Sequence, residues 1–277
     1  MSTLFRLLSG LPLWLLHGLG WALGWLVYAL SATYRGRFVA NLRQAGLRRA
    51  QARGAIGQAG QLVTELPRLW FGRPVAMFWE GAQHIEQALA QQRGIVFLTP
   101  HLGSFEVTAQ AYAARFGAVQ PMTVLFRPSR QPRLRELVAS ARRRPGLQAA
   151  PTTPAGVRQL LRALRQGQSV GLLPDQVPPQ GLGVWAPFFG REAYTMTLSA
   201  RLAQQTGATV LVAWGERLPW GRGYRIHVRP LGADLPQDAV AAATVINRAM
   251  EQVIAECPQQ YLWGYARYKQ PRQESWS

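Results

Sequence analysis

The chain has 277 residues, with 31 Lys+Arg against 13 Asp+Glu and a formal net charge of +18. At 48% hydrophobic and only 16% charged residues, with ten Trp, ten Phe and eight Tyr, the composition excludes a disordered basic tail. It describes a folded protein facing something anionic, with nucleic acid, a membrane surface and an acidic protein all open as partners. The length suits one large α/β domain or two small ones. The basic excess is nearly all arginine, because Lys269 is the only lysine. Cys257, the single cysteine, excludes a disulfide framework and any multi-thiolate zinc site. Lying before Pro258 at an expected helix end, it reads as a small buried residue.

The first element in chain order is an apolar helix. No charged residue lies between Arg6 and Arg35, and the run Leu11 to Ala32 covers about 22 residues, roughly 33 Å as a helix, which matches a bilayer's hydrocarbon thickness. Trp14, Trp21, Trp25 and Tyr28 lie along it, and interfacial aromatics favour such positions. After it come Arg35, Arg37, Arg43, Arg48, Arg49 and Arg53, with no acidic residue before Glu65. The run is too long for a cleavable signal peptide and its positive charge follows it. Residues 1–34 are therefore expected to form a membrane anchor, with the bulk of the protein held in the cytoplasm. Gly10, Gly18, Gly20, Gly24 and His17 weigh against a span. They leave open a helix lying flat in the interface or buried in a core.

Residues 35–92 read mostly as helices, with apolar recurrence at three and four residues, as at Leu62, Leu66, Leu69 and Trp70. From residue 94 the pattern changes to short apolar runs bounded by Gly or Pro: 94–99, 121–126, 169–173, 208–214 and 223–228. Helical stretches are expected at 105–116, 133–144, 155–166 and 197–206, and a closing helix at 239–257. This alternation implies one α/β domain over 35–277, with a largely parallel central sheet flanked by helices.

Of the four histidines, His17 sits in the anchor, His227 inside a strand, and His84 has no evident partner. His101 follows a strand and leads through Leu102, Gly103 and Ser104 into a helix, where open α/β sheets gather catalytic groups. Glu106 falls in the first turn of that helix, and folding back of the chain would let its carboxylate reach the imidazole. Such a pair is sufficient for general-base chemistry, although a hydrogen-bonded structural histidine fits the same spacing. There is no His-Glu-x-x-His or thiol cluster for a metal, no phosphate loop and no complete dinucleotide fingerprint. Ser104 follows Gly103 but lacks the second glycine of a nucleophile elbow. Arg127, Arg130, Arg133 and Arg135, followed by Arg142 to Arg144, suit phosphate or membrane contact through guanidinium forks. No nucleic-acid-binding module is visible.

The stretch His101 to Glu106 resembles the His-x4-Asp/Glu motif of the lysophospholipid acyltransferase superfamily. More narrowly, the chain is similar to the late lauroyl and myristoyl acyltransferases of lipid A biosynthesis. That match rests on Leu125-Phe126-Arg127-Pro128, on Leu173-Pro174-Asp175-Gln176, on Pro187-Phe188-Phe189-Gly190 with Thr195, and on Gln260-Tyr261-Leu262-Trp263 with Arg267 and Lys269. The resemblance implies a glycerolipid-acyltransferase-like fold, His101 as general base with Glu106 as its acid partner, and functional roles for Arg127, Arg142 and Asp175. It further implies acyl carrier protein as donor, a phosphorylated glycolipid acceptor, a bacterial inner-membrane location, and neither metal nor cofactor. Ser104-Phe105 replaces the Asn-Trp frequent in relatives, and Phe126 replaces a tyrosine, which leaves the acceptor open. The alternatives are acylation of a lysophospholipid, aminolipid or mannosylated lipid, with acyl-CoA as donor, and a non-catalytic protein that binds anionic lipid.

Overall fold

A computed structural model describes residues 2–126 and 144–273. The expected helix at 133–144 and the candidate residues Arg127 and Arg142 lie outside the described residues. The chain opens with helices α1 (Ser2–Ser9), α2 (Leu13–Leu30), α3 (Ala32–Gln44), α4 (Arg49–Ala52), α5 (Gly54–Thr64) and α6 (Leu66–Phe71). Strand β1 (Met77–Glu80) and helix α7 (Ala82–Ala90) follow, then β2 (Ile95–Leu98), α8 (Phe105–Phe116), β3 (Met122–Phe126), β4 (Leu147–Pro151), α9 (Pro154–Arg165) and β5 (Ser169–Leu172). A hairpin of β6 (Gly183–Phe188) and β7 (Arg191–Met196) leads to α10 (Leu198–Thr206), β8 (Thr209–Arg217), β9 (Tyr224–Pro230) and α11 (Ala239–Glu256).

Seven strands form one sheet in the order β1-β9-β8-β2-β5-β3-β4. All neighbours in it are parallel except β8 and β9, which a tight turn joins as an antiparallel pair. The β2 sequence Ile95-Val-Phe-Leu98 is buried on both faces, as a central parallel strand requires. Its alternate side chains feed two cores. Val96 and Leu98 pack with Leu160, Leu202 and Ile246 on one face, while Ile95 and Phe97 pack with Val107, Tyr112 and Ile85 on the other. The expected α/β fold is therefore the observed one. The short strands β1 and β4 and the β6–β7 hairpin are additions to it. The hairpin closes on Phe189 (φ 48°) and Gly190 (φ 73°), a two-residue turn with both residues left-handed.

Helix α2 is long and apolar enough, by length and composition, to cross a membrane. It is not free of the body. Gly20 and Gly24 lie against Gly57, Gly60 and Gln61 of α5 so closely that a Cβ on Gly60 would sit 1.9 Å from the Gly20 carbonyl oxygen. Arg35, the first charge after the run, donates to the Tyr28 carbonyl at 2.9 Å and to that of Ala29, capping the last turn of α2. Inside the seam, the fully buried Glu65 accepts from Arg217 Nε at 2.7 Å and Nη2 at 2.8 Å, from Tyr224 Oη at 2.9 Å, and meets His17 Nε2 at 3.1 Å. Burial alone would raise the Glu65 pKa, but the Arg217 and His17 contacts outweigh it and hold the carboxyl at about 2. The ion pair thus ties the amino-terminal helices to the end of β8.

Candidate active site

Strands β2 and β5 are neighbours, and Thr99 donates its N–H to the Leu172 carbonyl at 3.0 Å. The loops leaving their carboxyl ends, Thr99 to Ser104 and Leu173 to Gln176, therefore emerge side by side. Across this junction Asp175 receives the His101 backbone N–H at 2.8 Å on Oδ2 and the imidazole Nδ1 at 2.7 Å on Oδ1. The carboxylate on the imidazole thus comes from Asp175, not from Glu106 as the spacing along the chain suggested. Residues 74 positions apart meet because their strands are adjacent. A proton shared between Nδ1 and the carboxylate leaves the Nε2 lone pair outward, where the Gln176 side-chain amide donates to it at 2.9 Å.

Asp175 is buried. Burial would raise its pKa, yet the charge of His101 and the hydrogen bonds from its side chain and backbone bring it below the ordinary carboxylate value. Arg267 also lowers it. That guanidinium is held by the Tyr194 carbonyl at 2.7 Å and Thr195 Oγ1 at 2.6 Å, both on the hairpin. The carboxyl-terminal stretch straps the His101 loop from the other side. Leu262 N–H bonds the His101 carbonyl at 3.1 Å, and Gly103 N–H bonds the Gln260 carbonyl at 3.0 Å. The Gln260 side chain in turn clasps the Arg217 backbone through bonds of 2.9 and 3.0 Å. Gly103 has φ +58°, and a Cβ there would lie 2.0 Å from the Gly215 carbonyl oxygen, so this turn requires glycine.

Glu106 lies in the first turn of α8, where Trp70 Nε1 is 3.5 Å from its carboxylate. Arg144, which bonds the carbonyls of Leu69 and Trp70, feels the Glu106 charge. Burial lowers the Arg144 pKa and Glu106 opposes that shift. Ser104 is fully buried, which removes it as an exposed nucleophile. Cys257 is buried too, its thiol pushed up to about 12 chiefly by burial. His17 is tied to Glu65, and His227 bonds Glu216 at 2.9 Å while stacking on Trp214. Among the described residues no group of three His, Cys, Asp or Glu side chains could hold a metal ion.

Near the histidine an apolar cavity of about 80 Å³ lies between the sheet and α8. Phe105, whose ring lies 4.8 Å from the imidazole, lines it with Glu106, Thr99 and Leu173; Ile85, Trp79 and Leu147 line it further in. Apart from Glu106, the lining was not singled out from the sequence, and neither was the Arg217–Glu65 pair behind Gln260, because each is brought together by contacts distant in the chain.

The sequence model described as bacterial lipid A biosynthesis acyltransferase matches residues 4–270. Three curated proteins of Escherichia coli (strain K12) are among the similar sequences. A lipid A biosynthesis lauroyltransferase is 29% identical over 214 residues, covering 76% of this chain and 68% of that protein. A lipid A biosynthesis palmitoleoyltransferase is 29% identical over 191 residues, 69% of this chain and 60% of its own length. A lipid A biosynthesis myristoyltransferase is 26% identical over 188 residues, 67% of this chain and 56% of that protein.

Proposed function

Because the chain belongs to the bacterial lipid A biosynthesis acyltransferase family, we propose that it transfers a fatty acyl chain from acyl carrier protein to a hydroxyl of a lipid A precursor. The reaction is placed at the cytoplasmic face of the inner membrane, with His101 as general base and no covalent acyl-enzyme. The observation that carries this reading is the imidazole held by Asp175, with Gln176 on its Nε2 and, 4.8 Å away, the ring of Phe105, which lines the apolar cavity.

The acceptor hydroxyl takes the place of the exposed Gln176 amide on Nε2. Its proton passes to Nε2 while its oxygen attacks the thioester carbon, forming the C–O bond. The C–S bond then breaks and the imidazolium returns the proton to the departing sulfur. Asp175 holds the reactive tautomer and stabilises the imidazolium, and Glu106 is a second carboxylate, on the cavity wall. Arg127 and Arg142 are assigned to the acceptor's phosphates, because their guanidinium forks suit phosphate oxygens. The acidic carrier protein suits a chain of charge +18.

The test is an assay of the purified protein with defined acyl carrier thioesters and a lipid A precursor, with products read by mass. His101→Ala is expected to lower turnover on the order of 10²–10⁴-fold. Near-normal transfer by that variant would disprove the mechanism. Acylation of a lysophospholipid in place of the lipid A precursor would reassign the acceptor.

A further inference from the structure

The cavity beside His101 is not uniformly apolar. Thr108 and Tyr112 line it with their hydroxyls already engaged, Thr108 on the Phe105 carbonyl at 2.7 Å and Tyr112 on Ser169 Oγ at 2.7 Å. Two other polar side chains line it differently. Thr99 and Gln110 are each only 6% exposed, and neither side chain forms a hydrogen bond with the described residues. Thr99 shares the β2 face of Ile95 and Phe97, the face that packs on α8. Gln110 is one helical turn beyond Glu106, about 6 Å along α8. Helical side chains lean toward the helix amino terminus, so the Gln110 amide leans toward the end of α8 that carries Glu106.

A plain hydrocarbon chain laid along this wall would strip water from both groups and give nothing back, leaving each polar group unmatched. A chain carrying a hydroxyl close to its carbonyl carbon would restore the lost bonds, donating to the Gln110 carbonyl oxygen and accepting from its amide or from the Thr99 hydroxyl. Resting on the proposed acyl transfer, and taking this cavity as the place of the acyl chain, we propose that the protein selects an acyl donor hydroxylated near its carbonyl end, with Gln110 as the specificity-determining residue and Thr99 as its helper. The hydroxyl takes no part in the bond changes and is carried unchanged into the ester.

The experiment sets dodecanoyl and 3-hydroxydodecanoyl carrier thioesters in competition for the purified full-length protein, with products separated by mass. Binding of the two free acids is followed in parallel by thermal shift. The wild-type chain is expected to favour the hydroxylated donor about five- to tenfold, and Gln110→Met, which keeps the side-chain length, to abolish or reverse that preference. Thr99→Val is expected to reduce it, giving a second variant should the first fold poorly. A wild-type preference for the plain chain overturns the inference while leaving the acyl-pocket reading intact. So does an equal loss on both donors in Gln110→Met, which would mark a group acting on the thioester carbonyl. Binding of neither acid overturns both readings.

Discussion

At the residue scale, the structure assigns the groups around the imidazole differently from the chain spacing. His101 and Glu106 are close in sequence, but the loop from Pro100 to Ser104 is strapped by Leu262 and Gln260 and directs Nδ1 to the neighbouring β5 loop. Asp175 stood out as a candidate through the Pro-Asp-Gln turn, but its contact with His101 was not legible, since strand adjacency is a property of the folded sheet. Asp175→Asn keeps the shape and removes the charge that selects the tautomer. It is expected to lower turnover on the order of 10³–10⁴-fold, with acceptor KM little changed. Steady-state kinetics on the folded variant check this. Since the Asp175 pKa is lowered, the carboxylate stays ionised through neutral pH and loses its charge only below the ordinary carboxylate range.

At the element scale, the amino-terminal helix shows how far periodicity reaches. Its apolar run and following arginines were readable directly, and so were its glycines as a weakness for a free span. That those glycines form the seam with α5 was not readable, because nothing in the run itself names its partner. Glu65, the first acidic residue of the chain, becomes the centre of that seam only when β8 brings Arg217 to it. Its pKa is lowered to about 2, so its contribution is complete above its ordinary pKa and fades as pH falls towards 2. Urea unfolding is expected to lose stability over that acidic window, and Glu65→Leu to flatten the Glu65 part of the loss. Glu65→Ala, which strands Arg217 in the core, is expected to cost about 3–5 kcal/mol. The hairpin escaped the sequence reading for a related reason. Its strands carry Pro187, Arg191 and Glu192, and their pairing depends on the Phe189-Gly190 turn and on Asn247 of α11, which donates to the Pro187 carbonyl at 2.9 Å.

At the scale of the whole molecule, charge and apolar surface converge on one partner. Trp14, Leu19, Leu23, Leu26 and Leu30 are exposed along α2. Trp220, 88% exposed and in a left-handed conformation, stands on the turn whose Gly221 packs against Trp14. An exposed apolar face of this kind fits contact with a membrane, and Arg35, Arg37, Arg43, Arg48, Arg49 and Arg53 follow it in the sequence. Binding to anionic vesicles is expected to weaken as salt shortens the screening length from about 10 Å towards 3 Å, while a salt-resistant fraction remains from the buried aromatics. Co-sedimentation with anionic and neutral vesicles measures both parts. Loss of all binding in high salt would show that the apolar face does not insert.

By itself the sequence determined the local quantities of this protein: where strands and helices alternate, where an apolar helix meets a basic flank, and that His101 lies on a loop between a strand and a helix. Each follows from residue type and spacing within a few turns of chain. The tertiary structure alone decided which carboxylate serves that imidazole, which helix receives α2, and that Thr99 and Gln110 face a common cavity. Those are contacts between residues far apart in the chain, and they exist only once the order of strands in the sheet has been set.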